Sequence, residues 1–108
     1  MDFNKFAAEL DIDIEIFIEL VDAWIQSTNE DIAALYAAKE SSDAKKIVEH
    51  SHKIKGASSQ LGFIEIAETA KTIEHKARDG NMEGLCESLE VLKAKRDEII
   101  KIKNGFSS

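Results

Sequence analysis

Between Ile14 and Tyr36 an apolar or small side chain returns every three or four residues, and no proline interrupts this stretch or any other part of the chain. Ile14, Phe17, Ile18, Val21, Trp24, Ile25, Thr28, Ile32, Leu35 and Tyr36 therefore share one face of a helix of several turns. Proline inside a helix removes a hydrogen bond and costs about 3 kcal/mol. With none present and only five glycines, long helices have little to break them. One local pattern disagrees. Ile12, Ile14, Ile16 and Ile18 alternate with acidic residues or Phe17, a period of two that suits a strand. The helical pattern covers more residues, so the spacing predicts a helix from about Ile12 to Glu40. Ile12, Ile16 and Ala23 then fall on its back. Their cover would come from Phe3, Phe6 and Leu10 of a short first helix, or from a partner protein.

The remaining punctuation is sparse. Asp2 suits the cap of a first helix running to about Leu10, and Asp11 or Asp13 that of the second. Ser41-Ser42-Asp43 marks the next break, before a helix from about Ala44 to Gln60. Leu61-Gly62-Phe63 separates that from a helix over Ile64 to Arg78, with Ile66, Ala70, Ile73 and Ala77 on one face. Asp79-Gly80-Asn81 is a turn signal, and a last helix follows over about Met82 to Lys103. Short connections make successive helices antiparallel neighbours. The expected fold is all-α: an antiparallel up-down four-helix bundle with a short extra N-terminal helix.

With 108 residues, 44% of them hydrophobic, the whole of 1–108 reads as one domain able to bury a core. The formal charge is -7, and the negative excess sits in the first forty residues, where the only lysines are Lys5 and Lys39. Such a surface repels nucleic acid and anionic lipid, so neither is an expected partner. Cys86 stands alone, which excludes an intrachain disulfide, fits a reducing compartment and suggests a small residue packed in a helix. The N-terminus shows no basic-then-apolar leader, and no apolar run is long enough to span a membrane. The expected location is cytoplasmic.

The third helix carries the chemistry. With His52 set at zero and about 100° per residue, Ile47, Ile54 and Leu61 fall at about 180–220° and form the core line. Ser51, Ala57 and Ser58 flank that line and are small enough for close helix packing. Val48, His52, Lys55, Gly56 and Ser59 lie on the opposite face, within about 60° of His52, and Gln60 at about 80°. Glycine inside a helix costs about 1 kcal/mol against alanine, and close approach by another molecule is a reason to keep it. A neutral imidazole nitrogen can take a phosphoryl group by in-line attack. Gly56 clears space before the ring, and Lys55 can neutralise phosphoryl oxygens. Ser59 or Gln60 can hydrogen-bond the ring or an oxygen. No general base or Mg²⁺ site is evident on this helix.

The string His52-Lys53-Ile54-Lys55-Gly56-Ala57-Ser58-Ser59-Gln60-Leu61-Gly62 resembles the signature of histidine-containing phosphotransfer (HPt) domains: His-x-x-Lys-Gly, small residues, then an apolar residue and glycine. The resemblance extends through the helix order and the Asp79-Gly80 turn. It implies a phosphorelay carrier rather than a true enzyme, a cytoplasmic signal-transduction protein of a two-component system. His52 would be the phosphoacceptor, supported by Lys55 and Gly56, and would form phosphohistidine. The implied partners are response-regulator receiver domains, a sensor histidine kinase, or both. No cofactor of its own is implied, Mg²⁺ being expected on the partner receiver domain, and the protein is expected to be monomeric. Docking would surround His52, with Val48, Ile12 and Ile16 as candidate contacts. His50 departs from the family pattern.

Blander readings apply to the other candidates. His50, at about 160°, lies beside the core line and reads as a partly buried packing residue. His75 sits late in its helix, where positive charge suits the dipole. Lys53 faces sideways, as a solvated lysine does. Glu49-x-x-His52 has the spacing of di-iron bundles, but no second Glu-x-x-His accompanies it. A helical interaction module without phosphate chemistry is the remaining alternative.

Overall fold

The computed structural model describes residues 1–106, which are helical and contain no strand; Ser107 and Ser108 lie outside the described residues. The helices are α1 (Phe3–Glu9), α2 (Ile14–Glu40), α3 (Ala44–Leu61), α4 (Ile64–Arg78) and α5 (Leu85–Phe106). α3 packs against both α2 and α4, and α5 closes the ring by packing against the same two helices. α3 and α5 are thus diagonal, and α1 lies on α2. The 27 residues of α2 set the length of the molecule, whose longest dimension is 41 Å, close to the roughly 40 Å that 1.5 Å per residue gives.

Local chemistry explains the ends. Asp2 caps α1 by accepting from Lys5 N at 3.1 Å, and Asp43 caps α3 by accepting from Lys46 N at 3.2 Å. Each such cap contributes about 1 kcal/mol. α3 stops at Gly62, whose φ of 85° lies in the left-handed region, and Phe63 N–H returns to the Ser58 carbonyl at 2.9 Å.

The core gathers Phe17, Val21, Trp24, Ile32 and Leu35 of α2, Ile47, Ile54 and Leu61 of α3, Ile66, Ala70, Ile73 and Ala77 of α4, and Leu89, Leu92 and Ile99 of α5. Ser51 and Ser58 are buried with them. Ser51 Oγ donates to the Ile47 carbonyl at 2.6 Å, and Ser58 Oγ accepts from Trp24 Nε1 at 3.0 Å. Both hydroxyls are satisfied, so α3 buries them at little cost. At the α1 end, Phe3 meets Phe17 edge-on at 5.3 Å, and Phe63 meets Trp24 at 5.1 Å.

Four expectations need correction. α2 begins at Ile14, not Ile12, because Asp11 takes a φ of 56° and Asp13 is extended as the N-cap. Ile12 is left in the turn, half-buried against the core, and does have an inward role. Ile16 receives no comparable cover: it and Ala23 are exposed, as is Leu10, while Phe3 stacks among Phe17, Phe63 and Phe106. α5 begins at Leu85 rather than near Met82. Asn81 Oδ1 accepts from Glu83 N at 2.9 Å and Gly84 has a φ of 75°, which holds Met82 to Gly84 in a turn. Cys86, one residue into α5, is exposed rather than packed. Among the described residues no helix is long and apolar enough to cross a membrane.

Candidate functional site

α3 lies between α2 and α4, and the rotation of its residues decides what each neighbour meets. His52 leaves α3 on the α4 side, and 61% of its side chain is exposed. There it finds Glu74, a residue that the sequence reading missed. Glu74 is 1% exposed, on the buried stripe of α4 that also carries Ala67, Ala70 and Ala77. That three-four-three spacing was the available signal: one carboxylate stands where every other member is a small apolar residue.

Three cationic or proton-bearing groups converge on this carboxylate. His52 Nδ1 lies 2.9 Å from Glu74 Oε2, and Arg78 Nη2 donates to the same oxygen at 2.6 Å. Lys55 Nζ lies 2.8 Å from Oε1. This last contact is an ion pair without hydrogen-bond alignment, so Oε1 is buried with no aligned donor. Burial pushes the Glu74 carboxyl up, but the contacts from Lys55, His52 and Arg78 outweigh it and hold the group down at about 2. Glu74 is ionised at neutral pH and can only accept. The His52 proton must then sit on Nδ1, which leaves the Nε2 lone pair free whenever the ring is neutral.

The surroundings are open. His52, Val48, Glu49, Lys53 and Arg78 line one surface groove. Lys55, Gly56 and Ser59 of α3 line a second, facing Ile64, Ala67, Glu68 and Lys71 of α4. A Cβ placed on Gly56 would meet nothing within 4 Å, so the fold itself does not require glycine there. The helical rise puts Ser59 and Gln60 about 10 and 12 Å along the axis from His52. Both are exposed and stand too far along to hold the ring, a task that falls to Glu74. Lys53 is exposed, as expected. His50 is half-buried, its Nδ1 2.9 Å from Oδ1 of the buried Asp31 on α2. His75 is exposed in the last turn of α4. Among the described residues no three His, Cys, Asp or Glu side chains gather as a metal ligand set.

The Trp24–Ser58 and Asp31–His50 contacts fix how α2 runs past α3. Ile16 and Leu20, 46% and 43% exposed, are large apolar side chains that α2 leaves uncovered near its N-terminal end.

Comparison with known proteins bears on the family and the fold. The family model described as "Hpt domain" matches residues 19–102. Over 92 residues the chain is 33% identical to the phosphorelay intermediate protein rdeA of Dictyostelium discoideum, a match covering 85% of this chain and 36% of that protein. The chain thus spans about a third of that relative's length. The fold is similar to the crystal structure of histidine-containing phosphotransfer protein B from Pseudomonas aeruginosa, with a TM-score of 0.86 and 22% identity over 97% of this chain and 91% of that one.

Proposed function

The chain belongs to the Hpt domain family, and from that membership we propose that it is a phosphorelay intermediate that carries a phosphoryl group on Nε2 of His52. The observation that carries the assignment to this atom is the hydrogen bond between His52 Nδ1 and the buried, ionised Glu74. It orients an otherwise exposed ring and presents Nε2 to solvent as the nucleophile.

The step balances without proton transfer. The Nε2 lone pair attacks the phosphorus of an aspartyl phosphate on a receiver domain, and the N–P bond forms as the acyl O–P bond breaks. The bonding pair leaves with the aspartate carboxylate. The ring becomes cationic and keeps its Nδ1 proton, which Glu74 holds throughout. Delivery to a second receiver runs the same sequence in reverse. No general base is needed, which accounts for the lack of one on α3. The Mg²⁺ for this chemistry belongs to the receiver, and no residue here is assigned to it.

In this reading Gly56 leaves space for the receiver, and the apolar strip of Ile16 and Leu20 supports docking. The protein acts as a carrier, in the cytoplasm, as a monomer, between receiver domains or between a sensor kinase and a receiver. The test is incubation with receiver domains carrying labelled phosphate. Acid-labile, alkali-stable label on the parent and none on His52→Gln is the expected result. Label that persists on His52→Gln, or none on the parent with several receivers, overturns the proposal.

A further inference from the structure

Lys55 faces two claims. Its ammonium lies 2.8 Å from Glu74 Oε1, yet it stands one turn from His52, where a phosphoryl group would carry up to two negative charges. A single ammonium cannot fully neutralise both anions. Glu74 Oε2 keeps two other partners, His52 and Arg78, whereas Lys55 meets Oε1 alone, at 2.8 Å. Lys55 also keeps 28% of its side chain exposed and lines the open groove beside Gly56 and Ser59. A lysine is a point charge on a flexible four-carbon stem, suited to exchanging one anion for another.

Charge balance supplies the trigger. In the form that attacks, with the lone pair on Nε2, the ring carries no charge, and Lys55 and Arg78 are the cations at Glu74. Loading makes the ring cationic with its proton still on Nδ1, so a new positive charge appears 2.9 Å from Oε2. We propose that Lys55 is the moving part of the site: it neutralises Glu74 while His52 is empty and passes to the phosphoryl oxygens when His52 is loaded, its place at Glu74 taken by the charge that loading creates on the ring. The inference rests on His52 being the acceptor. It makes Glu74 a positioning residue whose counter-ion changes with the state of the site, and it leaves the buried carboxylate balanced in both states.

Nuclear magnetic resonance tests this on the intact protein, loaded with potassium phosphoramidate so that no partner is required. The probes are the Lys55 Nζ resonance and the Glu74 carboxyl carbon. In the empty protein, Glu74→Gln should move the Lys55 resonance, and Lys55→Met should move the Glu74 carboxyl. In the loaded protein each substitution should leave the other residue's resonance in place. Because the two variants report independently, misfolding of one leaves the other to decide. Equal displacement in both states would show that the pair persists on loading and would overturn the exchange. Failure of the parent to take label on His52 would instead remove the functional reading beneath it, so the two failures are distinct.

Discussion

Glu74→Gln preserves the shape of the side chain and removes its charge, which makes it the most direct probe of the site's electrostatics. The carboxyl moves from an ordinary value of 4.5 to about 2 in the fold, a gap of about 2.5 units. At about 1.4 kcal/mol per unit this is at most about 3 kcal/mol of pH-dependent stability, and closer to 2 because Lys55 and Arg78 keep contact with water. The sign follows from proton uptake. Between pH 4.5 and 2 the unfolded chain has the carboxyl protonated while the folded one does not, so stability rises with pH across that window. The contribution is complete above the unfolded value and is lost as the pH falls toward 2. Urea unfolding, followed through the single, buried Trp24, measures it at a series of pH values. Other carboxylates titrate in both proteins and cancel in the difference. The parent's advantage over Glu74→Gln should therefore shrink by about 2–3 kcal/mol between pH 5 and 2. Parallel stability curves across that window would refute the reasoning, because they would mean that Glu74 is not held ionised by its neighbours.

Gly56→Ala should raise unfolding stability by about 0.5–1 kcal/mol, since a Cβ there meets open space inside a helix, while slowing phosphoryl exchange with a receiver domain; thermal melts and transfer kinetics on one sample check both. Ser58→Ala leaves the buried Trp24 N–H without its acceptor and should cost about 1–3 kcal/mol in urea unfolding, with loading of His52 by phosphoramidate unchanged. Ile16→Glu and Leu20→Glu should each slow receiver-dependent loading by about tenfold, equivalent to about 1.4 kcal/mol of docking energy, and leave stability and phosphoramidate loading alone; equal loss with both donors would place the defect at the histidine instead.

Much of this architecture is legible in the pattern of residues because helices dominate it. The line Ile47, Ile54 and Leu61 is the buried face of α3, and α4 runs over Ile64–Arg78 as its spacing predicts. The ends of α2 and α5 are less legible because backbone geometry decides them: the left-handed Asp11 before α2, and the Asn81 turn with Gly84 before α5. The outward face of His52 is readable from α3 alone. Its partner is not, because Glu74 comes from another helix and reaches the ring only once α3 and α4 pack. A periodicity that scores apolar residues treats Glu74 as a gap, when its burial is the point.

The two histidines on α3 separate the conditions for being an acceptor. His50 and His52 each bring Nδ1 to 2.9 Å from a buried carboxylate on a neighbouring helix, Asp31 of α2 and Glu74 of α4 respectively. Orientation of the ring by a carboxylate is therefore common to both and cannot be what distinguishes them. Access differs: 23% of the His50 side chain is exposed against 61% for His52. A shift of two residues turns the side chain by about 200° around α3, from the outer face into the α2 interface. Charge differs too, since Lys55 and Arg78 gather at Glu74 beside His52. In-line transfer from a receiver needs a free approach to Nε2, and the half-buried His50 offers the smaller opening. Removing His52 should accordingly abolish receiver-dependent label rather than divert it. Label mapped to His50 in His52→Gln would show that access is not the discriminator, and that a carboxylate-held ring is sufficient.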